Sequence, residues 1–246
     1  MSHPSNRGRW LVPATPAIAA HVFGPRIGVA EEYARLLAGT GIDHGLLGPR
    51  ERPRVWERHI LNCAVIAHGF TSEADVLDVG SGAGLPGVVL AIARPDLHVT
   101  LVEPLQRRTS WLQRTISDLR LENVSLRRGR AESLWGDVRG RYVTARAVAR
   151  LSTVSMWCLP LLEPGGSLLV MKGATAEAEL AVDRPEIECL GGRRMRVEAY
   201  GIGLVDPPSL VVRIEVDRAI QIQPSKSRIK PRSPSRRRHQ PSNRRS

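Results

Sequence analysis

The feature that most constrains this 246-residue chain is a glycine-rich loop, Asp78-Val79-Gly80-Ser81-Gly82-Ala83-Gly84. It follows a short apolar run at 76–79 and precedes a stretch of helical character near 85–93. Alternating glycines allow a tight turn, and they let the backbone approach a ligand without a Cβ in the way. The loop therefore predicts a strand–loop–helix unit that binds a nucleoside-containing cofactor.

The rest of the chain alternates short apolar runs with helical stretches, which is the pattern of a parallel sheet with right-handed crossovers. Strands are predicted at 76–79, 99–102, 124–126, 143–148 and 167–171, with helices near 85–93, 106–120, 152–162 and 174–182. Two final strands, at 194–200 and 210–216, have no helix between them. We therefore predict an α/β, Rossmann-like fold with a mostly parallel seven-stranded sheet and an antiparallel pair at its end.

The glycine loop fits two kinds of cofactor, because Gly82-x-Gly84-x-x-Gly87 also matches the dinucleotide-binding pattern. Asp78 favours the methyl donor S-adenosylmethionine: a carboxylate before the loop suits an ammonium and a sulfonium, whereas it repels a pyrophosphate. Glu103 ends the next strand and can accept hydrogen bonds from both ribose hydroxyls, which either cofactor has. No Tyr-x-x-x-Lys or similar hydride-transfer set occurs. A dehydrogenase and a purely structural glycine turn remain the alternatives.

These observations assign the cofactor site to a defined set of positions. The predicted ligands of S-adenosylmethionine in this part of the chain are Asp78, Gly80, Gly82, Gly84 and Glu103. Beyond the third strand, the segment 129–133 suits an adenine edge, with a backbone N–H for a ring nitrogen and the Glu132 carboxylate for the exocyclic amine. By itself, Glu132 is equally a stabilising acid at a helix N-terminus.

The residues after the fourth and fifth strands narrow the acceptor chemistry. The segment 144–148 lacks the Asp/Asn-Pro-Pro-aromatic motif of exocyclic-amine methylases, and Asp206-Pro207-Pro208-Ser209 is interpreted as a turn. No cysteine stands there as a pyrimidine-C5 nucleophile, and Cys158 is predicted to lie in the core. Arg146 and Lys172 stand at the strand ends instead, where they reach the active crevice unless nearby acids pair with them.

Composition restricts the compartment. The three cysteines, Cys63, Cys158 and Cys189, are widely spaced and lack a CxxC pattern, so neither a disulfide framework nor a metal site is indicated. No run of eighteen apolar residues is present, so no membrane span is predicted. We expect a cytoplasmic monomer.

Pattern and composition divide the chain into four segments. They are a flexible N-terminal arm at 1–15, an N-terminal helical segment at 16–70, a methyltransferase domain at 71–223 and a basic tail at 224–246. Helices are predicted at 16–38 and 53–68 within the second segment. In the later helix an apolar stripe recurs at helical spacing, formed by Trp56, Ile60, Cys63 and Ala67.

The tail at 224–246 accounts for most of the net charge of +12, because it carries nine Lys/Arg residues and no acid. It is also rich in Pro and Ser, so it cannot bury enough apolar surface to offset its ordering entropy, and we predict disorder. Such a tail can bind RNA by neutralising phosphates. The alternative is a solvated extension without a partner.

Several segments together match a known family pattern. They are Trp56–Cys63, Leu77–Gly87, Val102–Pro104, Arg128–Glu132, Ala145–Ala147 and Met171–Gly173. On these segments, the stretch from about Phe23 to Val216 resembles the glucose-inhibited division protein B family, the guanine-N7 methyltransferases of small-subunit rRNA. Gly84-Leu85-Pro86-Gly87 and Trp-x-x-His-Ile-Leu-Asn are the specific parts. Ala145 departs from the Ser that this family usually has there.

The resemblance implies S-adenosylmethionine as cofactor and 16S rRNA or the small ribosomal subunit as partner. It also implies that His59 faces the active crevice. The residues it places against the methyl donor are Gly80, Leu85, Ala131, Glu132 and Arg146. Apart from the resemblance, His59 is equally a core histidine, because it borders the apolar face of its helix.

Methylation at guanine N7 is consistent with these residues. N7 offers an in-plane lone pair and has no proton to lose, so the enzyme needs positioning and desolvation rather than a general base. The base becomes cationic during transfer, so cations are better placed at phosphates than at N7. We therefore predict positioning roles for Arg146 and Lys172, with His59 as a further candidate catalytic residue.

Other functions remain open: a methyltransferase for another RNA, a small molecule or a protein, and a non-catalytic RNA-binding protein. A methyltransferase for a small molecule or a protein usually encloses its acceptor under an apolar lid. The N-terminal helical segment at 16–70, called the front segment below, is instead basic at Arg50, Arg52, Arg54 and Arg58. A non-catalytic RNA-binding protein would present interleaved aromatic residues, yet the chain has two Phe, five Trp and three Tyr without such a set.

Overall fold

The computed structural model describes residues 12–146 and 149–220. Its centre is a seven-stranded sheet in the order β3-β2-β1-β4-β5-β7-β6. The strands are β1 Asp75–Val79, β2 His98–Glu103, β3 Val124–Arg128, β4 Gly140–Arg146, β5 Leu162–Lys172, β6 Arg193–Tyr200 and β7 Ser209–Glu215. The first five are parallel to one another, which confirms the predicted Rossmann-like class.

The last two strands form the predicted antiparallel pair at the edge of the sheet. β7 is antiparallel to both β5 and β6, so it lies between them and β6 forms the edge of the sheet. The last two residues of the strand predicted at 143–148 lie outside the described residues. The first eleven residues of the chain and the basic tail lie outside them as well.

Helices connect and cover the strands. The α-helices are α1 Ala17–Phe23, α2 Ile27–Leu36, α3 Asn62–Ala64, α4 Gly87–Ala93, α5 Gln106–Asp118, α6 Leu151–Cys158 and α7 Ala176–Cys189. Shorter turns of 3₁₀ helix occupy Gly24–Arg26, Pro49–Arg54, Val65–Gly69, Ala131–Leu134 and Leu159–Leu161, and π-helical turns occupy Leu37–Gly41 and Val55–Leu61. Within the described residues, no helix is long and apolar enough to cross a bilayer.

The front helices are less regular than the predicted ones. The helix expected at 16–38 is interrupted at Gly24, which has a φ of 49°, and the following proline lacks the N–H that an α-helix needs. The second predicted helix runs from 49 to 69 through 3₁₀, π and α geometry. Its predicted apolar stripe is confirmed as buried, at Trp56, Ile60, Cys63 and Ala67.

Both faces of the sheet are covered, as a parallel sheet requires. On one face, α4, α5 and the helices of the front segment pack against alternate strand residues such as Val76 and Leu101. On the other face, α6 and α7 pack against the intervening residues, such as Leu77 and Val143. The front segment therefore shares a core with the sheet, and this packing carries its side chains to the ends of the strands.

Helix α7 is longer than predicted, because it continues past Pro185 to Cys189. Proline removes a hydrogen bond from a helix interior. Burial on the far side of the helix offsets this loss: Ile187 packs in the core, and Asp183 is buried, accepting a 2.8 Å hydrogen bond from the backbone N–H of Ser152.

Candidate active site

The glycine loop joins β1 to α4 and lies against the end of β2. Gly80, Gly82 and Gly84 have φ values of 74°, 57° and 88°, in the left-handed region that disfavours other residues. The loop is held to β2 by bonds from the Gly80 N–H to the Val102 carbonyl at 2.9 Å and from the Val102 N–H to the Ser81 hydroxyl at 3.1 Å. The predicted strand–loop–helix unit is thus present, and hydrogen bonds hold its backbone at the carboxyl ends of β1 and β2.

Asp78 lies beneath this loop and is fully buried. Its Oδ2 accepts a 3.1 Å hydrogen bond from the Gly87 N–H, and a Cβ at Gly87 would lie 2.7 Å from the same oxygen, which explains that glycine. Oδ1 has no hydrogen-bond partner in the described part of the chain. Burial raises the pKa of Asp78 to about 7. An unsatisfied buried carboxylate oxygen fits a ligand that carries an ammonium group.

Glu103, at the end of β2, is aimed at the glycine loop and is 1% exposed. Its Oε2 accepts a 3.0 Å hydrogen bond from the Gly82 N–H, and its Oε1 accepts one of 3.0 Å from the Leu105 N–H. Arg108 lies 3.6 Å from Oε2. A carboxylate has about four lone-pair sites, so two remain for hydroxyl donors such as those of a ribose.

A narrow cleft opens beside Glu103 at the ends of β1, β2 and β3. Its walls are mainly apolar and include one cation and one acid. The lining residues are Val79, Gly80, Val102, Pro104, Gly129, Arg130, Ala131, Glu132 and Trp157. Ala131 is buried and begins a 3₁₀ turn, while Glu132 is half-buried. A mainly apolar cleft with a carboxylate among its lining residues fits an adenine ring with its exocyclic amine. Leu85 is buried where the glycine loop meets α4.

Arg146 ends β4 and is held by the front segment. Its guanidinium donates to the Cys63 Sγ at 3.0 Å, to the Arg58 carbonyl at 3.0 Å and to Nδ1 of His59 at 3.1 Å. All three acceptors are uncharged: a thiol, a backbone carbonyl and a histidine nitrogen, which must be unprotonated in order to accept. Among the ion pairs of the described residues none involves Arg146, so its charge has no carboxylate partner there.

His59 is 6% exposed and stands behind Arg146. Its other ring nitrogen, Nε2, lies 2.8 Å from the Oε2 of Glu51. Burial and the charge of Arg146 hold the pKa of His59 below its usual range. The histidine is buried, as the core interpretation expects, and it bonds Arg146, which lines the larger cleft. Its predicted role at the crevice stays a prediction.

A second and larger cleft lies on the other side of Arg146, between the front segment and the ends of β4, β5 and β7. Its basic wall includes Arg54, Arg58 and Arg146, and acids contribute at Glu57 and Asp206. The turn predicted at 206–209 does join β6 to β7, and in addition it lines this cleft. Apolar residues complete the walls, at Ile18, Leu61, Met171, Leu204 and Pro208.

Lys172 also lines the larger cleft, but it is paired. Its Nζ donates to the Ala149 carbonyl at 2.8 Å and lies 2.8 Å from Oε2 of Glu179 on α7. The alternative in which a nearby acid neutralises the cation thus holds for Lys172. Of the two predicted cations, Arg146 is the one held by neutral groups. Cys158 is fully buried in the core, as predicted.

Sequence reasoning missed three residues of this site. Tyr33 bonds the glycine loop, Glu51 bonds His59, and Trp157 lines the narrow cleft. The local pattern offers a signal only for Trp157, a large aromatic next to a buried helix position. Tyr33 is 50 residues from Ala83 along the chain, so no local pattern indicates it. Glu51 is eight residues from His59, but the backbone changes from 3₁₀ to π geometry between them, so regular helical spacing does not indicate the pair.

Comparison with known proteins connects this site to a family. Residues 26–204 match the GidB family, described as rRNA small subunit methyltransferase G. The chain belongs to the GidB family. Ribosomal RNA small subunit methyltransferase G of Thermobifida fusca is 52% identical over 217 residues, covering 87% of this chain and 92% of the relative. The protein of the same name from Salinispora tropica is 49% identical over 215 residues, covering 85% and 89%.

Solved structures support the fold of this GidB member. An S-adenosylmethionine-dependent O-methyltransferase from Thermotoga maritima aligns with a TM-score of 0.51 at 14% identity, over 70% of this chain and 71% of the other. An O-methyltransferase from Agrobacterium tumefaciens aligns with a TM-score of 0.50 at 16% identity, over 63% and 79%. Family and fold together confirm a methyltransferase with S-adenosylmethionine as methyl donor, and they exclude the dehydrogenase.

Proposed function

We propose that this GidB member transfers a methyl group from S-adenosylmethionine to N7 of a guanine in 16S rRNA of the small ribosomal subunit. The observation that carries the proposal is the position of Arg146. This guanidinium has neutral acceptors as its bonded partners and stands at the end of β4, beside a basic cleft wide enough for an RNA base. The name shared by the relatives supplies the class of substrate.

The donor would be held by residues along the ends of β1 to β3. The open oxygen of Asp78 would accept from the ammonium group, and the glycine loop would present its backbone. Glu103 would take the ribose hydroxyls, and Glu132 with the Ala131 backbone would hold the adenine edge. S-adenosylmethionine supplies a methyl group activated by the positive sulfur.

The acceptor would enter the larger cleft from the opposite side. Arg54 and Arg58 are exposed at its rim, where they would contact phosphates, which position RNA without reading its sequence. The apolar walls at Leu61 and Met171 would exclude water from the base plane. Arg146 and Lys172 would then orient the nucleotide rather than exchange protons with it.

Because N7 carries no proton, the reaction needs in-line placement of two bound molecules and no base. Arg146 cannot be deprotonated in a protein, so its contribution is constant with pH. We therefore expect the rate at saturating donor and RNA to be flat from about pH 7 to 9.

The test is to methylate rRNA that lacks the modification, both naked and in assembled small subunits, and to map the product by mass spectrometry. The expected result is one methyl group on a guanine, located at N7. Methyl transfer to an exocyclic amine or a ribose, or activity confined to a small molecule or a protein, would refute the proposal. The preferred form of the substrate identifies the partner as free rRNA or the subunit.

We further propose that the enzyme acts as a monomer in the cytoplasm, where its substrate resides. Light scattering on the active protein tests this, since a stable dimer at working concentration would contradict it.

A further inference from the structure

A chain of polar contacts links the surface of the front segment to Arg146. Glu51, in the 3₁₀ turn Pro49–Arg54, lies 2.8 Å from Nε2 of His59, and Nδ1 of His59 lies 3.1 Å from the Arg146 guanidinium. We propose that Glu51 and His59 are positioning residues that fix Arg146 by selecting one tautomer of the neutral imidazole. The inference rests on the proposed function only for the role of Arg146 in methyl transfer.

The direction of each hydrogen bond follows from the groups involved. Arginine has donors and no acceptor, so Nδ1 of His59 must accept from it and cannot carry a proton. The ring proton then lies on Nε2, which donates to the Glu51 carboxylate. Glu51 thus stabilises the one neutral tautomer that leaves a lone pair facing Arg146.

Protonation of His59 would break this arrangement. An N–H at Nδ1 would face the N–H of Arg146, and two positive charges would lie within 3.1 Å. The charged groups that face the imidazole are Arg146, Glu51 and Arg58. Burial and Arg146 act against protonation, whereas Glu51 favours it. The histidine is therefore held neutral at pH 7 and charged only in acid.

The hydrogen bond from Arg146 to His59 is one of the few contacts that orient the guanidinium. Its three bonds all go to the front segment, to Arg58, His59 and Cys63, and none goes to its own strand's neighbours in the described residues. Arginine side chains lose rotamer freedom only when such contacts hold them. Loss of the His59 acceptor would leave Nη2 of Arg146 with its bond to the Arg58 carbonyl alone, and the guanidinium would be less firmly oriented.

The first test compares Glu51→Gln with Glu51→Ala. Gln keeps an oxygen that accepts from Nε2, so the tautomer and most of kcat are expected to survive. Ala removes the acceptor, and kcat should fall on the order of tenfold to a hundredfold as Arg146 loses its place. Protonation of His59 should make kcat fall in acid. In Glu51→Gln this fall, the acid limb of the kcat profile, should move to lower pH, because the carboxylate that favours protonation of His59 is gone. Glu122→Ala, at an exposed acid outside both clefts, is the control.

The second test compares two replacements of His59. The amide of Asn lies near the position of Nδ1 and can accept from Arg146, whereas the amide of Gln lies near Nε2 and cannot. We expect His59→Asn to retain severalfold more activity than His59→Gln, and the acid limb to vanish in both. His98→Asn, at an exposed histidine on the far end of β2, is the control. Equal activity of the two His59 variants would overturn the proposal.

Nitrogen-15 NMR of the wild-type imidazole tests the tautomer without any variant and without RNA. The proton is expected on Nε2 at pH 7, and in Glu51→Ala the resonances should show a mixture of tautomers. A proton on Nδ1, or a charged ring at pH 7, would overturn the proposal. If the methylated atom proves not to be guanine N7, the tautomer result is unaffected, so the two failures are distinguishable.

Discussion

The phenolic hydroxyl of Tyr33 donates a 2.7 Å hydrogen bond to the backbone carbonyl of Ala83. Tyr33 is fully buried in α2, and Ala83 stands inside the glycine loop. Burial raises the pKa of Tyr33 well above its usual value, so the hydroxyl stays a donor across the working range. The front segment therefore holds the cofactor loop as well as Arg146.

Tyr33→Phe should loosen this loop. We expect a loss of about 1 kcal/mol in the free energy of unfolding and a severalfold weaker affinity for the methyl donor, because the Ala83 carbonyl loses its partner. Denaturant unfolding and calorimetry measure the two effects. Tyr142→Phe removes a hydroxyl that bonds Thr71, away from the loop, and should alter stability alone. Equal donor affinity in both variants would show that the loop does not depend on Tyr33.

Donor binding should depend on pH through Asp78. Its pKa in the folded, donor-free protein is about 7, raised by burial, so the carboxylate is charged at pH 8 and mostly protonated at pH 6. If the charged form holds the ammonium group, the affinity should be about tenfold weaker at pH 6 than at pH 8. Calorimetry at several pH values checks this.

Asp78→Asn supplies the control for that pH dependence. The amide cannot ionise, so donor affinity should be low and flat across the same range. The sign is specific: a raised acid pKa predicts tighter binding as pH rises. A wild-type affinity that weakens as pH rises from 6 to 8 would rule out Asp78 as the partner of the ammonium group.

Glu103→Ala should weaken donor binding at least about tenfold, since charge-assisted hydrogen bonds to ribose hydroxyls are worth roughly 1.5–3 kcal/mol each. Glu103 also accepts from the N–H of Gly82, so part of the loss reflects the loop. Glu103→Gln keeps one acceptor, so its affinity for the methyl donor should lie between those of the wild type and Glu103→Ala. An unchanged dissociation constant in Glu103→Ala would remove this residue from the site, and Glu122→Ala serves as reference.

Lys172 and its partner Glu179 can be separated by paired variants. If Lys172 contributes to RNA positioning, Lys172→Met should raise KM for rRNA severalfold, while Glu179→Gln, which frees the ammonium group, should leave KM unchanged or lower it. If the 2.8 Å pair serves the fold alone, both variants should lose stability and neither should shift KM. Steady-state kinetics with thermal unfolding distinguishes the outcomes.

The basic tail lies outside the described residues, and its role stays a prediction from composition. A chain ending at Gln223 should methylate the same guanine with weaker RNA affinity. Each phosphate neutralised on single-stranded RNA contributes about −0.7 to the log–log salt slope, so loss of four or five contacts should flatten the slope by roughly three. Identical slopes would mean no role in RNA capture, and a shifted methylation site would make the tail a specificity element.

Local patterns predicted the sheet well. Each of the seven strands was predicted within a few residues, apart from the early start of β5 at Leu162. The apolar stripe through Trp56 and Cys63 is buried as its spacing predicted, since helical periodicity reports directly on burial. The 3₁₀ and π geometry of the front helices was not predictable, because packing rather than propensity selects it.

The sequence by itself determined the class of the protein: a glycine loop after an apolar strand, an acid before it, and strands that alternate with helices. Those features depend on neighbours along the chain. The tertiary structure alone decided which side chains meet, because Tyr33 and Ala83 are 50 residues apart, and His59 and Arg146 are 87 apart. Such contacts follow from packing of the front segment on the ends of the strands. They also distinguish Lys172, which pairs with Glu179, from Arg146, which has no ion-pair partner in the described residues.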